Sequence, residues 1–117
     1  MRAFAAIRRW SPIVDLSQLT TEIRAFAEAR DWLPYHTPKN LAMAMSVEMA
    51  ELLEHFQWLT PEQAAAVAHD PARRGPVEEE MADVLIYMLR LADVLGVDVE
   101  AAIRDKMAKN ALKYPAP

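Results

Sequence analysis

Cysteine is absent from this chain of 117 residues, and glycine occurs only twice, at Gly75 and Gly96. Without cysteine there is no disulfide framework, thiol nucleophile or thiolate metal site, a composition that fits a reducing cytoplasm. Two isolated glycines cannot build a Gly-rich phosphate loop, a dinucleotide-binding fingerprint or a set of hairpin turns. Excess positive charge is lacking too: the net charge is −4. Such a field repels a polyanionic duplex, so nucleic acid is not an expected partner. No uncharged apolar run approaches the ~20 residues that span a bilayer, so no membrane is expected either. The opening MRAFAAIRRWSPIV is interrupted by Arg8 and Arg9 before it could serve as a secretory signal. Residues 1–15 read as a basic extension, and residues 16–117 as one domain.

What the chain does have is helix-forming material: it is 53% hydrophobic, and its abundant Ala, Leu, Met, Glu, Arg and Lys all favour helices. The expectation is an all-α, four-helix-bundle-like fold with a short extra helix. So small a body buries core inefficiently, which favours assembly as an oligomer. Ser17 is placed to cap a first helix carrying Leu19, Ile23 and Phe26 on one face and ending near Arg30–Asp31. The two prolines between Asp31 and Pro38 predict an irregular connection, with Thr37 capping a second helix over about Lys39–Gln57. Thr60-Pro61-Glu62-Gln63 is a capping box opening a short Ala-rich helix that stops near Asp70–Pro71. Arg73-Arg74-Gly75-Pro76 reads as a loop. A long helix runs from Val77 to Leu95, where Gly96 supplies a left-handed end, and Asp98 caps a last helix to about Lys113.

The acids on two of these helices are misplaced for solvated faces. With residues set at ~100° intervals, Glu48 falls among Leu41, Ala44, Met45 and Leu52, with His55 also near and Glu51 at the rim of the arc. The long helix repeats the pattern, with Glu80 among Val84, Tyr87, Leu91, Val94 and Leu95 and Asp83 at the rim. Acids three apart on a helix lie roughly 5–6 Å apart at Cβ, so two such pairs facing each other form a four-carboxylate cluster. Like charges at ~4 Å repel by ~4 kcal/mol at an effective dielectric of 20, and the cluster must take up protons or a cation. All-oxygen ligation points to Mg²⁺, with Mn²⁺ as the alternative. A di-iron centre needs Glu-x-x-His pairs, which are absent, so His55 is a polar packing residue or a neighbour of the ligands.

In order along the chain stand Asp31-Trp32, His36, Pro38-Lys39-Asn40-Leu41, Glu48-x-x-Glu51, Phe56-Gln57-Trp58, Glu80-x-x-Asp83-Val84-Leu85-Ile86-Tyr87, Lys106, Asn110 and Lys113-Tyr114-Pro115. The set resembles the MazG-like all-α nucleoside triphosphate pyrophosphohydrolases, and among them the dCTP pyrophosphatase subgroup, over roughly residues 16–115. The resemblance implies Mg²⁺-dependent hydrolysis of a (deoxy)nucleoside triphosphate to the monophosphate and pyrophosphate, in a homotetramer of four-helix units. It also implies that Glu48, Glu51, Glu80 and Asp83 are metal ligands and that Tyr114 belongs to the substrate-binding set. One position departs: animal members carry a substrate-contacting His nine residues before the tryptophan, where this chain has Ile23. The resemblance therefore leaves open whether dCTP, its 5-modified forms or a broader pyrimidine range is used.

The chemistry of such a reaction calls for charge neutralisation on a polyanion, a positioned water and a stabilised leaving group. Glu48 or Glu51 can orient or deprotonate the water. Lys106, Asn110 and Lys113 fall within about 60° of one another on the last helix, either a stripe for pyrophosphate or a solvated face. Lys39 and Asn40 add donors. Trp32, His36, Trp58 and Tyr87 are candidates to hold the base, since stacking contributes ~1–3 kcal/mol per base; the Trp and Tyr rings also suit a core. The long helix is apolar nearly all round, and Leu85 and Leu89 are expected to pack across a subunit interface. Alternatives are a dUTP or phosphoribosyl-ATP pyrophosphohydrolase of the same fold, or a non-catalytic helical nucleotide-binding adaptor.

Overall fold

A computed structural model describes residues 14–117, so the extension up to Ile13 lies outside the described residues. Five α-helices and two 3₁₀ turns follow: α1 (Leu16–Glu28), a turn at Leu33–Tyr35, α2 (Pro38–Glu54), α3 (Pro61–Ala66), a turn at Val67–His69, α4 (Pro71–Leu95) and α5 (Val99–Lys113). The fold is all-α with a short extra helix, as the composition predicts, and no strand occurs among the described residues. No helix among them is long and apolar enough to cross a membrane.

Most ends obey the side-chain capping logic. Thr37 accepts from the Asn40 backbone N–H with Pro38 in the first turn, and Thr60 and Gln63 form the reciprocal capping box. Gly96 closes α4 in the left-handed conformation at φ 69°, and Asp98 caps α5. Two expectations need correction. Asp15, not Ser17, caps α1, its carboxylate accepting from the Gln18 N–H; Ser17 stands inside the first turn. The stretch 73–76 is helix, not loop. Asp70 and Pro71 start α4 two turns earlier than the Gly-Pro pair suggests, and Arg74 secures this segment by donating to the Ala68 carbonyl at 3.0 Å and to Glu78 at 2.7 Å. With Val77 buried just beyond, those anchors offset the backbone bond that Pro76 cannot make.

The packing is dominated by α2 against α4, with α1 laid on α4. Near one end Glu48 meets Glu80 and Asp83; near the other His36, just ahead of α2, meets Arg90. As numbering rises along α2 it falls along α4, so the two helices are antiparallel. Leu41, Ala27, Val67, Val77, Leu89 and Ala92 are the buried apolar residues. Leu89 is therefore core within its own chain and not interface, because only 6% of it is left exposed there; Leu85 remains 54% exposed. Among the described residues the last helix, α5, packs only weakly on the other elements, and Ile103, Met107 and Leu112 stand exposed along it.

Candidate active site

The site begins with helical register. Glu48 on α2 and Glu80 and Asp83 on α4 are half-buried, and each offers a carboxylate oxygen such that the three lie within 4.8 Å of one another. Glu51, one turn along α2, is near enough to raise the pKa values of Glu48 and Glu80 but lies outside that tightest set. The structure thus brings together the two acids that the sequence places in apolar arcs, Glu48 and Glu80, with Asp83 from one rim in the tight set and Glu51 from the other beside it.

The energetics are those of a site lacking a positive partner. One oxygen of Glu48 and one of Glu80, both Oε2, are buried without a hydrogen-bond donor, an arrangement unfavourable to the charged form. Burial, followed by the neighbouring carboxylates Glu80, Glu51 and Asp83, pushes Glu48 up to about 7. Burial likewise raises Glu80, with Glu51 and Asp83 adding to it. A proton shared between Glu48 and Glu80 is one resolution, and a cation is the other. Orphaned carboxylate oxygens, no nitrogen or sulfur donor and partial solvent access fit a hard divalent ion. The acidic triad can hold a metal.

An aromatic corner lies beyond α1. Asp31, in the left-handed region at φ 57°, turns the chain so that the Trp32 N–H reaches the Ala27 carbonyl at 3.0 Å. Trp32 then meets Phe26 edge-on at 5.8 Å between centroids and His36 at 6.3 Å. Trp32 is 44% exposed and so is not core, with the Arg30 guanidinium 6.0 Å from its ring centroid. Asn40 donates its side-chain amide to the Tyr35 carbonyl at 3.0 Å, which commits it to shaping this loop. Lys39 is exposed, and Tyr87 is half-buried one turn past Asp83.

The remaining candidates are not gathered by this chain alone. Trp58 is 85% exposed past the end of α2. Lys106, Asn110 and Lys113 lie exposed on α5, away from the acids, and the Lys113 ammonium sits over the Tyr114 ring at 5.3 Å. His55 is the half-buried C-cap of α2 and no member of the acidic triad. A cleft of about 800 Å³ opens between the starts of α1 and α5 and the end of α4. Its cations Arg24 and Arg104 are already paired with Asp93 and Glu100. Sequence reasoning missed Arg24, Arg90 and Asp93, which tie α1, α4 and the aromatic loop together. The one signal for them was an Arg and an Asp three apart in the apolar second half of the long helix.

Carboxylates converging from two antiparallel helices, with partly exposed aromatics toward the far end, define an all-α protein whose chemistry rests on a helical acid cluster. The chain belongs to the MazG-like family, whose model matches residues 43–117. It is similar to dCTP pyrophosphatase 1 of Mus musculus and of Homo sapiens, at 38% identity over 107 residues in each case. Those matches cover 92% of this chain and 63% of the relatives, so the chain spans just under two thirds of their length. It is also similar to a dATP/dGTP diphosphohydrolase of cyanophage S-2L, 48% identical over 62 residues, covering 53% of this chain and 50% of that protein. The crystal structure of a pyrophosphatase from Archaeoglobus fulgidus superposes with a TM-score of 0.80 at 44% identity, covering 93% of this chain and all of that one.

Proposed function

We propose that this protein hydrolyses (deoxy)nucleoside triphosphates to the monophosphate and pyrophosphate, acting on the cytoplasmic nucleotide pool, with dCTP or modified pyrimidine forms as the leading substrates. The observation that carries this reading is the set of four acids converging from α2 and α4 with two buried oxygens left without donors. Relatives named dCTP pyrophosphatase and dATP/dGTP diphosphohydrolase support the reaction class. The second name keeps purine triphosphates in the test, and Ile23, half-buried in α1, gives no polar contact that would restrict the base.

Glu48, Glu80 and Asp83 would hold Mg²⁺, or Mn²⁺, with Glu51 completing the set. Such an ion supplies neutralisation of phosphate charge. The oxygen of water attacks the α-phosphorus, the bond from that phosphorus to the bridging oxygen breaks, and pyrophosphate leaves with that oxygen. Glu51 or Glu48 orients the water and accepts its proton. Trp32 and His36 face the base, and Tyr87 borders the sugar. Lys39, Lys106, Asn110, Lys113, Trp58 and Tyr114 complete the substrate set once subunits assemble. The exposed α5 and the bare apolar faces of α4 support a homo-oligomer, with a tetramer as the expected form.

The decisive experiment is a panel of canonical and modified nucleotides with Mg²⁺, scored for pyrophosphate against orthophosphate. Pyrophosphate should be the first product. Glu48→Ala and Asp83→Ala should each lower turnover by roughly 10²–10⁴-fold. Orthophosphate as the primary product, or turnover that survives both substitutions, would defeat the assignment.

A further inference from the structure

Arg90 is the one charged residue that is buried among the described residues, with 6% of its surface exposed. Its position is costly unless its donors are engaged, and two of its nitrogens are engaged in a directed way. Nε donates to Nδ1 of His36 at 3.0 Å, while Nη1 donates to Asp93. Asp93 is held in turn by Arg24 of α1, through Nε at 2.8 Å and Nη2 at 2.6 Å. Arg24 chiefly, and Arg90 with it, keeps the Asp93 carboxyl below the usual carboxylate range. The chain of contacts thus runs from α1 through α4 to the loop that carries Trp32.

A guanidinium has donors only. The His36 nitrogen facing Arg90 must therefore be the unprotonated one, which leaves the ring neutral with its hydrogen on Nε2. Burial, and then the positive charge of Arg90, lower the His36 pKa in agreement with that state. The location gives the tautomer a use. Arg90 follows Asp83 by two helical turns, at nearly the same azimuth and roughly 10 Å further along the axis, a separation on the scale of a nucleotide. The remaining N–H of His36 is then Nε2, on a ring whose centroid stands 6.3 Å from that of the partly exposed Trp32.

We propose that Arg90 is a positioning residue that fixes His36 in the Nε2–H tautomer, so that His36 donates a hydrogen bond to an acceptor edge of the nucleobase stacked on Trp32. The acceptor is a base carbonyl oxygen or an unprotonated ring nitrogen. Asp93 and Arg24 hold the guanidinium in place. The base contact rests on the pyrophosphohydrolase reading, whereas the tautomer does not.

Long-range ¹H–¹⁵N NMR of the full chain, with ¹⁵N-histidine and His36→Gln for assignment, reads the tautomer without nucleotide. Wild type should show an unprotonated Nδ1 and a protonated Nε2. Arg90→Met should give a mixed or protonated ring, and Arg90→Lys, which keeps a donor, should retain the wild-type pattern. In turnover, Arg90→Met should raise KM about tenfold, the value of one hydrogen bond to a bound ligand, with kcat little changed, and Arg90→Lys should recover most of it. Where Arg90→Met alone does not fold because Asp93 loses a partner, Arg90→Met with Asp93→Asn removes the orphaned charge and is read in the same way. A wild-type ring protonated on Nδ1, or a tautomer and KM both indifferent to Arg90, overturns the proposal. Absence of turnover on every nucleotide overturns the enzymatic reading and the base contact with it, while the NMR still decides the tautomer.

Discussion

Glu48 couples protonation to stability in the metal-free protein. Its folded-state pKa of about 7 lies above the ordinary 4.5, so between those values the unfolded chain releases the proton first. The stabilising contribution of this proton is fully present below the ordinary value, falls as pH rises, and is gone once pH passes about 7. The metal-free wild type should accordingly melt at lower temperature at pH 8 than at pH 5, measured by scanning calorimetry in chelator. Glu48→Gln, which keeps the shape and removes the charge, should flatten that dependence and melt higher than wild type at pH 8 while losing turnover. Mg²⁺ should raise the melting temperature of wild type more than that of the variant. Parallel melting of the two proteins across this pH range would show that the cluster does not carry the strain described. Asp31 offers a second residue-level test: its left-handed φ of 57° suits glycine better, and Asp31→Gly should stabilise by ~1 kcal/mol in urea unfolding.

Among the elements, α4 shows most clearly what the sequence reveals and what it hides. Its acid face is visible in the sequence, because a 3.6-residue period places Glu80 among apolar neighbours whatever the tertiary fold. Its end at Gly96 is visible for the same local reason. Its beginning is not: Gly75-Pro76 carries the local signature of a break, and only the contacts of Arg74 with Ala68 and Glu78 and the burial of Val77 show why the helix persists. The pairing of Arg90 with His36 is equally hidden, since it joins residues 54 apart and no local pattern links them. Gly75 lies in this persistent segment with open space around an added Cβ. Gly75→Ala should therefore stabilise by ~0.5–1 kcal/mol, read by denaturant titration. A loss of stability would mean that the segment needs glycine's freedom and is not an ordinary helix.

At the scale of the whole molecule, the described residues leave a broad apolar surface bare, which is the surface the proposed assembly with further copies of this chain would cover. Leu85, Ile86 and Met81 on α4, Met43, Val47 and Leu53 on α2, and Ile103 and Met107 on α5 are all exposed. Light scattering at micromolar concentration should give a multiple of the 13.2 kDa chain mass. Leu85→Asp should shift the distribution toward monomer, because a carboxylate buried in an apolar interface is strongly disfavoured. A wild-type chain that elutes as a monomer would leave α5 unexplained.

The weak packing of α5 on the other described helices has a genetic consequence. If the cations of one chain serve the acids of another, two defective alleles can repair each other. A chain disabled at Glu48 still carries an intact α5, and a chain disabled at Lys106 still carries intact acids. Mixed and reassembled, Glu48→Gln and Lys106→Ala chains should regain a fraction of wild-type turnover that neither has alone. Specific activity should also fall on dilution, in step with dissociation, because the unit of function would be the pair of chains rather than the polypeptide.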